Sequence, residues 1–156
     1  MAETATRDNL MRFAQNRMRD HNGHVTRLRV SDTKMELPSL ELFKTIIDDI
    51  RDQMPHENEY TKLNAFDCDD YSFILKGLIS QWYRHNRPSD LPFAMGIAWG
   101  FFNSFSRTEF HSLNFVFIAD DRKLRWIEPQ FLRSKSLEQA TARFRSDLDE
   151  VSLLML

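Results

Sequence analysis

The chain has 156 residues and a formal net charge of −2, with 42% hydrophobic and 28% charged residues. That length suits one domain, read here as spanning residues 1–156, and lets about two thirds of the unfolded surface be buried. The charge balance lacks the strong basic face of a nucleic-acid-binding domain. The longest apolar run, Leu91 to Phe102, is too short to cross a bilayer as a helix. These features predict a soluble, cytoplasmic protein that binds neither nucleic acid nor membrane.

The stretch from Arg7 to Lys34 carries several arginines, but Asp8, Asp20 and Asp32 interleave with them. It reads as a solvated surface. The N-terminus lacks the apolar core of a signal peptide. One cysteine, Cys68, cannot form an internal disulfide, which fits a reducing compartment.

Residues 3 to 20 carry a loose apolar stripe and predict a first helix. His24 to Val30 alternates and predicts a short strand or extended arm. A clearer helix follows, with Leu40, Phe43, Ile47, Ile50 and Met54 on one face. Ser39 can cap its start, Glu41 suits its dipole and Pro55 ends it.

The next helix is predicted from Asp67 to Tyr83, with Asp67 as N-cap and Cys68 as its first residue. Cys68, Tyr71, Leu75, Leu78 or Ile79, and Trp82 share a stripe, which turns the thiol toward the protein body. Strand patterning then takes over at Phe93 to Phe102, His111 to Ala119 and Lys123 to Glu128. Trp99 and the Phe101, Phe102 and Phe105 cluster read as core or cleft wall. Ser136 and Gln139 make a capping-box pattern for a last helix, with Leu137, Ala140, Phe144, Leu148 and Val151 on its stripe. Helices first and strands later predict an α+β domain, with N-terminal helices packed on an antiparallel sheet.

The hairpin between the last two strands has a testable register. If Asp120 and Asp121 form a two-residue turn, Ala119 faces Arg122 and Glu128 lies opposite Leu113. Leu113 and His111 share a face, so Glu128 becomes a diagonal neighbour of His111 at roughly 7–8 Å. Moving the turn along by one residue keeps the same faces, whereas a three-residue turn without a bulge would send Glu128 to the other face.

Cysteine, then histidine, then carboxylate is the working set of a thiol nucleophile, its base and the group that orients the base. A helix N-terminus and a nearby imidazolium would both lower the pKa of Cys68. Its backbone N–H would be one oxyanion donor. Gln130 and Asn64 are the side-chain amides nearest the trio in sequence, and the weaker candidates for a second donor. Asp67, Asp69 and Asp70 flank the cysteine. They either bind a hard cation such as Ca²⁺ or, the preferred reading, cap the helix and favour its dipole. No cofactor is required. A zinc site on Cys68, His111 and Glu128 lacks a closely spaced ligand pair.

These motifs resemble the papain-like and transglutaminase-like cysteine peptidase superfamily. His111-Ser112-Leu113-Asn114-Phe115 is similar to that family's His-Ala-Trp-Asn strand, and Trp126-Ile127-Glu128-Pro129 to its Trp-Val-x-Asp-Pro. Phe66-Asp67-Cys68-Asp69-Asp70-Tyr71 and Ile127-Glu128-Pro129-Gln130 resemble the calcium-activated peptidase domain of mushroom agglutinins and related bacterial and phage proteins. The resemblance covers about residues 64 to 131. It implies a papain-like fold with Cys68 as nucleophile, His111 as base and Glu128 as third member. The expected function is a thiol-dependent acyl hydrolase acting on a peptide or protein substrate. The alternative is a non-catalytic binding or assembly module that keeps the scaffold and a vestigial site.

Overall fold

The computed structural model describes residues 3–19, 24, 26–59, 66–87, 89–102, 110–120, 123–142 and 150–156. Glu3–Thr6 forms β1, whose last residue caps α1 (Arg7–Arg17), with the Thr6 hydroxyl accepting from Asn9 N. The predicted first helix therefore starts four residues late. The displaced residues pair antiparallel with β3 (Lys34–Leu37), Glu3 opposite Leu37. Such a long-range partner is invisible to local periodicity. Arg27–Arg29 forms the short strand β2.

Helix α2 (Leu40–Ile50) follows its sequence signals. The Ser39 hydroxyl accepts from Leu42 N at 3.1 Å, Glu41 lies in the first turn, and Phe43, Ile46, Ile47 and Ile50 are buried. A 3-10 turn, Arg51–Gln53, finishes it before Pro55. Helix α3 (Cys68–Asn86) begins at the predicted residue and runs three residues further than expected. Its buried stripe is Tyr71, Ser72, Leu75, Ile79 and Tyr83. Trp82 sits beside that stripe and donates from Nε1 to Asp49 Oδ2 at 2.8 Å.

Strands β4 (Met95–Phe101), β5 (Phe110–Ile118), β6 (Lys123–Ile127), β7 (Thr141–Ala142) and β8 (Glu150–Met155) complete the described elements. With β2 they form one sheet in the order β2-β8-β4-β5-β6-β7. All its pairs are antiparallel except β2 with β8, which is parallel. The predicted hairpin register holds, with Asn114 opposite Ile127 and Phe115 opposite Trp126. Asp121 lies outside the described residues.

The predicted last helix is corrected. Its capping box forms, with Ser136 N on Gln139 Oε1 and Gln139 N on Ser136 Oγ. It closes only a single turn, because Thr141–Ala142 then joins the sheet against β6. Val151 belongs to β8, wedged between β2 and β4. Residues 143–149, including Phe144 and Leu148, lie outside the described residues.

The sheet has a core on each face. Val116, Ile118 and Ile127 pack with α2 and α3. Leu113, Phe115, Phe117 and Trp126 pack with Leu10, Ala14 and Met18 of α1. The α+β class stands, with α1 on the opposite face of the sheet from α2 and α3. Among the described residues, no helix is long and apolar enough to cross a membrane.

Candidate functional site

The site forms where the start of α3 meets the start of β5 and the end of β6. Asp67 fixes the first of these. Its Oδ1 accepts from Asp69 N at 3.3 Å, while Asp70 Oδ2 accepts from Asp67 N at 3.0 Å. This reciprocal cap places Cys68 at the first helical position, where N–H groups and the helix dipole favour negative charge.

His111 sits second in β5, and Glu128 directly follows β6. The register places them as diagonal neighbours, and His111 Nε2 meets Glu128 Oε2 at 2.6 Å. His111 is 3% exposed and Glu128 is 0% exposed. The Glu128 backbone is held from behind, its N–H donating to Ala140 O at 2.8 Å. With Nε2 committed to the carboxylate, Nδ1 is the ring nitrogen left for Cys68, whose side chain hydrogen-bonds the imidazole.

Three charges thus support one another. Burial pushes the Cys68 thiol up, but the hydrogen bond and charge of His111, helped by Ser112, bring it below its ordinary value. Burial pushes His111 down, but Cys68 and Glu128 outweigh that and raise it to about 9. The arrangement favours the thiolate of Cys68 beside a charged His111, a microenvironment that makes a sulfur more nucleophilic toward soft electrophiles.

The acidic residues around Cys68 belong to the helix start. Ligand atoms of Asp67, Cys68 and Asp69 lie within 4.8 Å of one another. Asp67 and Asp70 are nevertheless engaged by backbone N–H groups of the cap. The Asp69 carboxyl is pushed up to about 6, first by its hydrogen bond with Asp67. Crowding of like charge at a cap accounts for this.

Gln130 is buried in the 3-10 turn Pro129–Phe131. Asn64 and Phe105 lie outside the described residues.

Sequence reading missed an aromatic surface beside this centre. Trp99 pairs with Ser112 and Phe101 with Phe110, so all four project on one face of the sheet. Phe110 is 53% exposed and Phe73 of α3 is 47% exposed. The Phe73 ring lies 6.1 Å from Trp99 and the Phe101 ring 5.5 Å from Phe110. Sequence reads Trp99 and Phe101 as core or cleft wall, but Phe73 and Phe110 carry no signal in sequence, because single surface aromatics are common.

A family model described as Agglutinin C-terminal matches residues 39–134. No protein with a curated description matches the chain. Two similar solved structures cover 98% of this chain. One is titled "PSL1a-E64 complex", with a TM-score of 0.65 at 16% identity over 50% of that chain. The other is the Polyporus squamosus lectin bound to the human-type influenza-binding epitope Neu5Aca2-6Galb1-4GlcNAc, with a TM-score of 0.64 at 15% identity over 49% of that chain. The chain therefore spans about half the length of these structures.

These matches correct the peptidase reading. The family is described as Agglutinin C-terminal, and one of the two structures that share the architecture is titled a lectin. The assignment to a papain-like or transglutaminase-like peptidase superfamily gives way. So do the thiol-dependent acyl hydrolase and the peptide or protein substrate drawn from it. The motif-bearing stretch, about residues 64 to 131, falls inside residues 39–134. A constellation recognised by residue type and order does not fix the reaction of the scaffold that carries it.

Proposed function

This chain belongs to the Agglutinin C-terminal family, and from that premise we propose that it is a binding module whose ligand is a carbohydrate. The observation that carries the reading is the aromatic surface of Phe73, Trp99, Phe101 and Phe110 beside a buried polar centre. Flat, half-exposed rings next to polar groups suit a ligand with both an apolar face and hydroxyls. The sialylated epitope named with the Polyporus squamosus lectin belongs to the same ligand class. The Cys68, His111 and Glu128 cluster lies next to it along β5, where His111 follows Phe110, with His111 and Glu128 themselves buried. Its acidic neighbours Asp67, Asp69 and Asp70 favour a neutral sugar over an anionic one.

Glycan microarray screening of the whole chain, followed by calorimetry on the best ligand, tests the proposal. Saturable binding that Trp99→Ala weakens about tenfold, or 1.4 kcal/mol, supports it. Absence of binding to any glycan sinks it and leaves the assembly role.

A further inference from the structure

Between α3 and β5 runs a seam of buried polar side chains that the charge cluster does not itself require. Ser72, Ser112 and Asn114 are each 0% exposed. Ser72 lies one helical turn after Cys68, and its hydroxyl donates to Cys68 O at 2.9 Å. The same hydroxyl lies 3.0 Å from Ser112 Oγ across the helix–sheet boundary. One step along, Asn114 Nδ2 donates to Ser72 O at 3.0 Å. Apolar residues fill the remainder of this interface. Burying hydroxyls there costs stability unless their bonds are satisfied, so their placement beside the sulfur calls for a reason.

Ser112 supplies it. Both its backbone N–H and its hydroxyl reach Cys68, while its neighbour His111 contacts the sulfur from the same strand. We propose that Ser72 and Ser112 are positioning residues that form a hydroxyl relay, fixing the start of α3 on β5 and solvating the Cys68 sulfur when it is charged.

The proton count works. Two hydroxyl hydrogens face three acceptors: Cys68 O, the partner oxygen and the sulfur. When the sulfur is anionic, the Ser112 hydrogen turns to it and the Ser72 hydrogen turns to Ser112 Oγ. When the sulfur is protonated, Ser72 returns to Cys68 O. No heavy atom moves. Rotation of two hydroxyls follows the charge, and each bond polarises the next. The other charged groups on this side of the protein are His111 of β5, which contacts the sulfur and is backed by Glu128 at the end of β6, and Asp67, Asp69 and Asp70 at the start of α3. Above about pH 6, where the Asp69 carboxyl is ionised, none of these carries a hydroxyl that can alternate between donor roles. The inference concerns the thiol alone and stands apart from the carbohydrate reading.

Iodoacetamide alkylation of the whole chain, followed by intact mass across pH 5 to 11, tests the relay in wild type, Ser112→Ala, Ser72→Ala and the double variant. Ser112→Ala should raise the titration midpoint by about half a unit to one unit, making alkylation about three to ten times slower at pH values below the wild-type midpoint. The limiting rate at high pH should stay unchanged. The double variant should shift no further than Ser112→Ala, because Ser72 acts through Ser112. A purely structural pair would lower thermal stability without moving the midpoint. An unmoved midpoint in Ser112→Ala, or strictly additive shifts, overturns the proposal. If Ser112→Ala fails to fold by circular dichroism, Ser72→Ala decides alone: a raised midpoint supports the relay and an unmoved one overturns it.

Discussion

His111 Nε2 lies 2.6 Å from Glu128 Oε2, and neither side chain is more than 3% exposed. A buried contact of that length is charge-assisted. Together with the hydrogen bond to Cys68, it pushes the imidazole up to about 9 and so favours positive charge at the mouth of α3.

The first expectation is a thiol that ionises early. His111 lowers the Cys68 value against the opposing effect of burial. Iodoacetamide should therefore label Cys68 at pH 6 faster than a free thiol, and His111→Ala should slow that labelling by about tenfold or more. Labelling at the rate of a small free thiol in the wild type would show that the sulfur is not held as a thiolate.

Glu128→Gln removes the carboxylate behind the ring, so the His111 midpoint should fall from about 9. The imidazole Hε1 resonance across pH 5 to 10 reads this directly. For stability the sign is fixed. A raised histidine contributes fully below its unfolded value of 6.5 and loses that contribution as pH rises through about 9. The lowered Cys68 works oppositely, contributing above 9.0 and losing it as pH falls through its folded value. The two slopes oppose each other in the wild type, so unfolding free energy should fall less between pH 7 and 9 than the raised histidine alone would make it. A steep fall over that range would contradict the paired ionisation.

Asp67→Ala should cost about 1 kcal/mol in chemical denaturation, the usual loss for an N-cap. The same substitution should fray the first turn of α3 and reduce hydrogen-exchange protection around Cys68. Full protection there would mean that Asp70, not Asp67, holds the helix start.

Gly100 lies where β4 meets β8 at a register shift between Trp99 and Gly100, leaving Ser152 without a partner on β4. A Cβ at Gly100 would collide with the backbone oxygen of Glu150. Gly100→Ala should destabilise the chain by about 1–3 kcal/mol, as overpacking against rigid neighbours does. Gly77→Ala, where a Cβ meets nothing within 4 Å, is the control and should be neutral or stabilising in its helix.

Elements with strong local signals were legible in the sequence. Ser39 and Asp67 mark their helices because each cap satisfies N–H groups within three residues. The β5–β6 register followed from one turn and strand parity, and this made the proximity of His111 and Glu128 deducible. Strands β1 and β8 were not legible. Their partners, β3 for β1 and β2 with β4 for β8, are remote in sequence, and the apolar residues of Val151-Ser152-Leu153-Leu154-Met155 suit a helix as well as a strand. The Ser136 box was read correctly as a cap but not as a single turn, because what stops it is the pairing of Thr141–Ala142 with β6. In the site, Ser72 and Phe73 gave no warning, since their role arises from β5 and β4 across the interface. The functional label failed for a different reason: residue order describes chemistry that is available, not chemistry that is used.

Calorimetric titration of the whole chain with its best microarray glycan, repeated on Trp99→Ala and Phe110→Ala, tests the central claim most directly. Saturable binding in the wild type, weakened about tenfold in either variant with thermal stability retained, is the predicted result. Glycan binding that is absent, or indifferent to both substitutions, would contradict it.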